Sequence, residues 1–161
     1  VESSDIPPSL WQRIYLLEKA QGGDHPIAKA IMSHYEANVR TNILLNEVKH
    51  CTIDSKNRGL SATVQGNRIQ IGNATYLQEA GIVLPEVNRE KIGQGFSPVY
   101  VAENGVCQGI IYIQHEPRPG IQEALLGLKN QGIRIIMLTG DNEIAARAFN
   151  KQLGNVFDEV Y

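Results

Sequence analysis

The sequence predicts an α+β protein: an antiparallel sheet flanked by helices over residues 1–115, then part of a parallel α/β unit over residues 116–161. Three observations predict it. Two strand pairs are joined by two-residue turns, at Gly66-Asn67 and Asn104-Gly105. Apolar residues recur at helical spacing before and between those pairs. After His115 the pattern becomes helix, nearly all-apolar strand, helix. A two-residue turn joins only antiparallel strands, and Asn-Gly is the strongest short hairpin signal. Strand–loop–helix alternation around an all-apolar strand belongs instead to a parallel sheet covered on both faces. Such a sheet is not built from one or two strands, so the second unit is expected to be incomplete.

Each element has a local reason. Ser9, with Leu10, Trp11, Ile14 and Leu17 behind it, reads as a capped amphipathic helix ending in Gln21-Gly22-Gly23. Asp24 and Pro26 open a second helix carrying Ile27, Ala30, Ile31 and Tyr35, and Pro suits the first turn because its missing N–H has no partner there. The period changes from Glu47. Gly59 to Gln65 and Arg68 to Gly72 read as strands, Asn73 to Ala80 as a short helix stopped by Gly81, and Pro85 to Ile92 as another stopped by Gly93. Val99 to Glu103 pairs with Val106 to Gln114. Beyond Pro117 come a helix from Gly120 to Gln131, a buried strand from Ile133 to Leu138, the loop Thr139-Gly140-Asp141, and a helix from Asn142 to Leu153.

Composition narrows the function. At 42% hydrophobic and 20% charged, the chain excludes disordered, collagenous and disulfide-stapled classes. No apolar run approaches the ~18 residues of a membrane helix, so the piece is expected to be soluble, with no direct membrane insertion. A net charge of −2 with scattered Lys and Arg argues against a nucleic-acid face. Cys51 and Cys107 stand in no metal-binding spacing and read as free thiols. The chain opens on Val1 rather than Met, as expected of a processed chain or an excised piece.

Three signals point to chemistry. Thr139-Gly140-Asp141-Asn142 sits where a strand gives way to a helix, the crevice in which open α/β sheets bind ligands. There glycine admits a phosphate to the backbone and the helix end supplies N–H groups. The bland reading is a strand–turn–helix link. His25-Pro26, leading into Ile27-Ala28-Lys29-Ala30-Ile31, is either a contact histidine or a helix cap. Arg58-Gly59-Leu60-Ser61 and Ile71-Gly72-Asn73 place glycines at the ends of adjacent strands, marking either turns or a flat ligand against bare backbone.

In this order the motifs resemble the cytoplasmic ATP-binding region of heavy-metal-transporting P-type ATPases, the copper, zinc and cadmium pumps. His25-Pro26-Ile27-Ala28-Lys29-Ala30-Ile31 resembles their His-Pro motif, Arg58-Gly59-Leu60 and Ile71-Gly72-Asn73 their glycine motif and Gly-Asn pair, and Pro119 to Asn142 the middle of their haloacid-dehalogenase-like phosphorylation domain. The resemblance implies that His25, Gly59, Leu60, Gly72 and Asn73 line an ATP or ADP pocket. It implies that Thr139 hydrogen-bonds the transferred phosphoryl group and that Asp141 orders the closed site. It also implies Mg in the complete enzyme, the rest of the pump as partner, and a place at the cytoplasmic face of a membrane.

The departures matter too. The family's DKTGT nucleophile and GDGxND magnesium stretches do not occur in this chain, which is therefore expected to bind ATP and present its γ-phosphate without hydrolysing it. The family Glu five residues before the His is Ala20 here, and Glu18, seven before, is the candidate replacement. Asn57 stands for the first glycine of the usual pair, and His115 for the usual Asp. A stand-alone, non-catalytic nucleotide-binding or pump-interacting regulator is the alternative. A haloacid-dehalogenase phosphatase is rejected for want of a DxD nucleophile.

Overall fold

The computed structural model describes residues 1–4, 6–38, 48–56, 58–114, 117–139 and 143–161. The chain divides into two compact units, Val1–Val87 with Pro98–Ile113, and Asn88–Ser97 with Gln114–Tyr161.

The first unit is a six-stranded sheet with helices on both faces. In chain order it holds β1 (Glu2–Ser3), α1 (Pro8–Ala20), α2 (Pro26–Asn38), β2 (Val48–Ile53), β3 (Gly59–Val64), β4 (Asn67–Gly72) and α3 (Ala74–Glu79). A short helix, α4 (Arg89–Gly93), belongs to the second unit; β5 (Phe96–Glu103) and β6 (Val106–Gln114) then complete the sheet in the order β1-β6-β5-β4-β3-β2. The pairings of β1 with β6, and of β2 through β5 in succession, are antiparallel. Alternation along β3 and β4 sends Leu60, Ala62, Val64, Ile69 and Ile71 to one face. There they form a single core with Leu10, Ile14, Leu17 and Ile31 of α1 and α2. Gly59, Ser61, Gln70 and Gly72 point the other way, in register with Tyr100 and Ala102 of β5, and α3 packs against β4. Both faces of β5 are therefore buried, and its apolar run is continuous rather than alternating.

Local chemistry moves several expected boundaries. Ser9 does not cap α1; Pro7 precedes the helix and Pro8 opens it, with no side-chain cap bond. The β3–β4 turn is Gln65-Gly66 rather than Gly66-Asn67, because these two residues carry the positive φ values, 50° and 78°, of a primed turn. Asn104-Gly105 takes the same form, at 51° and 82°. The helix expected over Pro85–Ile92 begins only at Arg89, where the Asn88 side chain accepts from the N–H groups of Glu90 and Lys91, and Gly93 falls inside it. β1 and β2 have no counterpart among the expected strands. The alternation of β2 is broken by a register shift between Lys49 and Thr52, where His50 has φ 51°.

The second unit continues with α5 (Ile121–Asn130), β7 (Ile136–Met137), α6 (Glu143–Gln152) and β8 (Glu159–Val160). β7 and β8 pair in parallel, as expected of this unit. The strand expected over Ile133–Leu138 shrinks to two residues, and it is not covered on both faces: Ile133, Ile136 and Leu138 are exposed, the last at 80%. Its only ladder partner among the described residues is an equally short strand. α5 buries none of its residues. A cavity of about 550 Å³ runs through this unit between Gly95, Ile121, Leu125, Ala146 and Phe149.

Candidate functional site

The candidate residues of the first unit gather around two features, the end of the β3–β4 hairpin and the α1–α2 link. Gly59 and Gly72 are direct cross-strand partners, with Leu60 opposite Ile71 one step inward. The next residue, Asn73, closes the group: its N–H donates to the Arg58 carbonyl at 2.9 Å. Its Oδ1 accepts from the Tyr76 N–H at 3.0 Å and so caps α3. Leu60 packs against the α1–α2 core, so its side chain lies on the face of the sheet that α1 and α2 cover.

Glu18 lies near the end of α1, only 3% exposed. No ion pair of this carboxyl occurs among the described residues, and burial raises its pKa to about 7, since an ionised carboxylate loses its water there without a counter-ion. At neutral pH the group is poised between an O–H that can donate and a carboxylate that can accept. Beyond it the chain turns through Gly22 and Gly23, both at positive φ (90° and 62°). Gly23 is buried, and a side chain there would strike the thioether of Met32. α1 packs on α2 and on β2, β3 and β4.

His25 is exposed at the start of α2. Its Nδ1 accepts from the Ile27 N–H at 3.3 Å and its carbonyl receives the Lys29 N–H at 3.0 Å, the geometry of a cap. Capping by Nδ1 leaves Nε2 as the ring nitrogen that can meet a ligand.

Arg58, just before Gly59, carries no signal in the sequence beyond its place in the glycine motif. Its guanidinium meets Asp54 through Nε at 3.0 Å, and Glu79 of α3 through Nη1 at 2.8 Å and Nη2 at 2.6 Å. These contacts hold the Asp54 carboxyl near pKa 2 and lower that of Glu79. With carboxylates on two sides, Arg58 is committed to the protein rather than open to a phosphate. The Asp54–Arg58 spacing of four is the one local hint of this role; the Glu79 contact depends on the fold.

In the second unit Thr139 stands at the carboxyl end of β7, half-buried, its N–H donating to the Tyr161 carbonyl at 2.8 Å. Gly140, Asp141 and Asn142 lie outside the described residues, as do Asn57 and His115. No group of three or more His, Cys, Asp or Glu able to hold a metal occurs among the described residues, and no helix there is long and apolar enough to cross a membrane. Cys51 and Cys107 are both free thiols.

Comparison with known proteins places this geometry. Residues 6–161 match the family described as haloacid dehalogenase-like hydrolase. A silver-exporting P-type ATPase of Salmonella typhimurium is 34% identical over 145 residues, covering 87% of this chain and 17% of that protein. A copper-exporting P-type ATPase of Vibrio cholerae is 36% identical over 143 residues, 87% of this chain and 15% of that one. A putative cadmium/zinc-transporting ATPase of Arabidopsis thaliana is 35% identical over 142 residues, 85% and 12%. The chain thus spans about an eighth to a sixth of the length of these curated relatives. Among solved structures, the catalytic domain of the CPx-ATPase CopB-B, described in connection with nucleotide binding, superposes with TM-score 0.66 at 26% identity, over all of this chain and 53% of that one. A zinc-transporting PIB-type ATPase superposes with TM-score 0.57 at 26% identity, over 97% and 25%. The chain belongs to the haloacid dehalogenase-like hydrolase family, and its homologues are the heavy-metal-transporting P-type ATPases, whose catalytic, nucleotide-binding region it matches.

Proposed function

We propose that the first unit binds ATP or ADP, with Glu18, His25, Gly59, Leu60, Gly72 and Asn73 around the nucleotide. The observation that carries the reading is Glu18. A carboxyl only 3% exposed, with no ion pair among the described residues, is costly to ionise and gains from a ligand that offers it hydrogen-bond partners. The Watson–Crick edge of adenine offers an amino donor and a ring-nitrogen acceptor, the pair that a protonated carboxyl meets with its C=O and its O–H, whereas an ionised carboxylate could take the amino donor alone. Leu60 supplies apolar surface on the face of the sheet that α1 covers, next to the paired strand ends Gly59 and Gly72. Low aromatic content, 6%, suits a shallow pocket without a stacking clamp.

In the longer protein, the bound ATP would present its γ-phosphate to an aspartate outside this chain, with Thr139 and Asp141 beside the transferred group and Mg on the phosphates. The second unit supports that reading through its surface. The exposed side chains of Ile133, Ile136, Leu138 and Ile144, and a helix α5 with no buried residue, leave apolar faces for further elements of the phosphorylation domain. The protein would then be the ATP-driven part of a metal-ion pump at the cytoplasmic face of a membrane.

Titration of the chain with ATP, followed by amide NMR shifts or calorimetry, tests the binding step. The expected dissociation constant lies between tens of micromolar and millimolar, roughly −4 to −6 kcal/mol, with shifts clustered at Glu18, His25, Gly59 and Gly72. Saturating ATP without shifts at those residues would remove the assignment.

A further inference from the structure

On the face of the sheet turned away from α1, the ring of Tyr76 lies against the paired glycines. A methyl group built on Gly59 would overlap the ring, coming within 2.6 Å of Tyr76 Cε1 and 2.7 Å of the Ile71 carbonyl oxygen. On Gly72 it would stand 2.8 Å from Tyr76 Cδ1, 2.6 Å from the Arg58 carbonyl oxygen and 2.7 Å from the Gly59 Cα. Carbon atoms in good contact sit about 3.5–4.0 Å apart, so neither position has room for any side chain. Neither glycine has a positive φ, so the backbone conformation gives no reason of its own for glycine at either place.

The ring is held where it is. Asn73 caps the helix by accepting the Tyr76 N–H, fixing the first turn of α3 to the end of β4. Glu79, three residues on from Tyr76 and hence on the same side of the helix, receives both Arg58 Nη groups. Asp54 holds the same guanidinium through Nε, and the Arg58 carbonyl accepts the Asn73 N–H. A closed circuit results, from Gly59 through Arg58 and Glu79 along α3 to Tyr76 and back onto Gly59.

We propose that Tyr76 is a positioning residue of the nucleotide site: its ring, braced by α3, backs Gly59 and Gly72 and fixes the strand ends that the nucleotide meets from the other face. The role rests on the reading of these glycines as pocket residues. It also changes what they do, since their missing side chains make room for Tyr76, not for the nucleotide. The ring carries the role and the hydroxyl does not.

The 161-residue chain, Tyr76→Phe and Tyr76→Ala are each titrated with ATP. Tyr76→Phe should bind as the unaltered chain does, and Tyr76→Ala roughly three- to tenfold more weakly, with amide shifts at Gly59, Gly72 and Asn73 and none at Leu17 or Ile31. Equal binding by Tyr76→Ala overturns the proposal, and so does a loss in Tyr76→Phe as large as in Tyr76→Ala. A second measurement needs no nucleotide. Gly59→Ala should lower the thermal midpoint in the native background and by less in the Tyr76→Ala background, because the collision with the ring has gone while the one with the Ile71 carbonyl oxygen remains; equal losses in both backgrounds overturn the packing. If the unaltered chain fails to bind ATP, the pocket reading falls and the proposed positioning role falls with it, whereas the thermal cycle still reports on the contact alone.

Discussion

Replacing Glu18 by Gln should stabilise the chain at pH 8 and leave it nearly unchanged near pH 4.5. The carboxyl is 3% exposed, and burial raises its pKa from the ordinary 4.5 to about 7. Because the folded-state value is the higher one, folding favours the protonated form. The group's contribution is fully present below pH 4.5 and is lost as pH rises through about 7. At roughly 1.36 kcal/mol per pH unit, the interval between the two values corresponds to about 3 kcal/mol. Gln has nearly the same shape and carries no charge, so it avoids the ionisation penalty. It leaves a buried neutral amide in place of a buried neutral acid, and the two chains should therefore converge at low pH. Thermal unfolding from pH 4.5 to 8, at about 2–4 °C per kcal/mol, should open a gap of several degrees between variant and native chain on the alkaline side. Parallel curves across the whole range would refute the reasoning, because Glu18 would then ionise in the fold as freely as in the unfolded chain.

Two further outcomes follow from the same geometry. His25→Ala should weaken ATP binding by about 1–2 kcal/mol, the scale of one lost hydrogen bond, and calorimetry that finds the affinity unchanged would leave His25 as the cap of α2 alone. Asp54, held near pKa 2 by Arg58, contributes stability present above pH 3.8 and lost as pH falls toward 2; unfolding followed from pH 5 to 2 should lose part of its acid limb in Asp54→Asn, a window separate from that of Glu18.

Much of the fold is legible in the sequence because its signals are local. Asn104-Gly105 names its own turn, Gly81, Gly132 and Gly154 each sit at positive φ just beyond a helix, and Pro26 opens α2. Expectation and structure part where a local signal has a competitor. Ser9 is a plausible cap, but two prolines before it set the helix entry instead. The apolar run Ile133–Leu138 promises a long buried strand, yet a strand extends only as far as neighbours pair with it, and β8 pairs with two residues. At the site, glycines on adjacent strands are visible in the sequence, but the reason for them is not. It lies in Tyr76, and the approach of that ring depends on Arg58 meeting Glu79 across 21 positions of chain. Glu18 stands out only through the resemblance; its burial, with no ion pair among the described residues, is a property of packing that no spacing rule contains.

The two units differ in how far their own residues support them, and that difference bears on the proposed division of labour. In the first unit Leu10, Ile14, Leu17, Ile31, Val64, Ile69, Val101 and Ile111 are all at most 1% exposed around one sheet. At roughly 1.5–3 kcal/mol for each fully buried aliphatic side chain, such a core can bear the cost of burying the Glu18 carboxyl and keep the glycine pair closed. The second unit has two buried residues on α6, none on α5, and a ladder of two short strands. Nucleotide recognition needs a pocket shaped before the ligand arrives, since ordering it afterwards would subtract from affinity. Phosphoryl transfer needs groups brought together only in the closed enzyme. The candidate binding residues lie in the self-supporting unit, and Thr139 lies in the one whose ladder is shortest. Under the proposed function, ATP capture falls where the fold is already rigid, and the transfer step where completion depends on the rest of the protein.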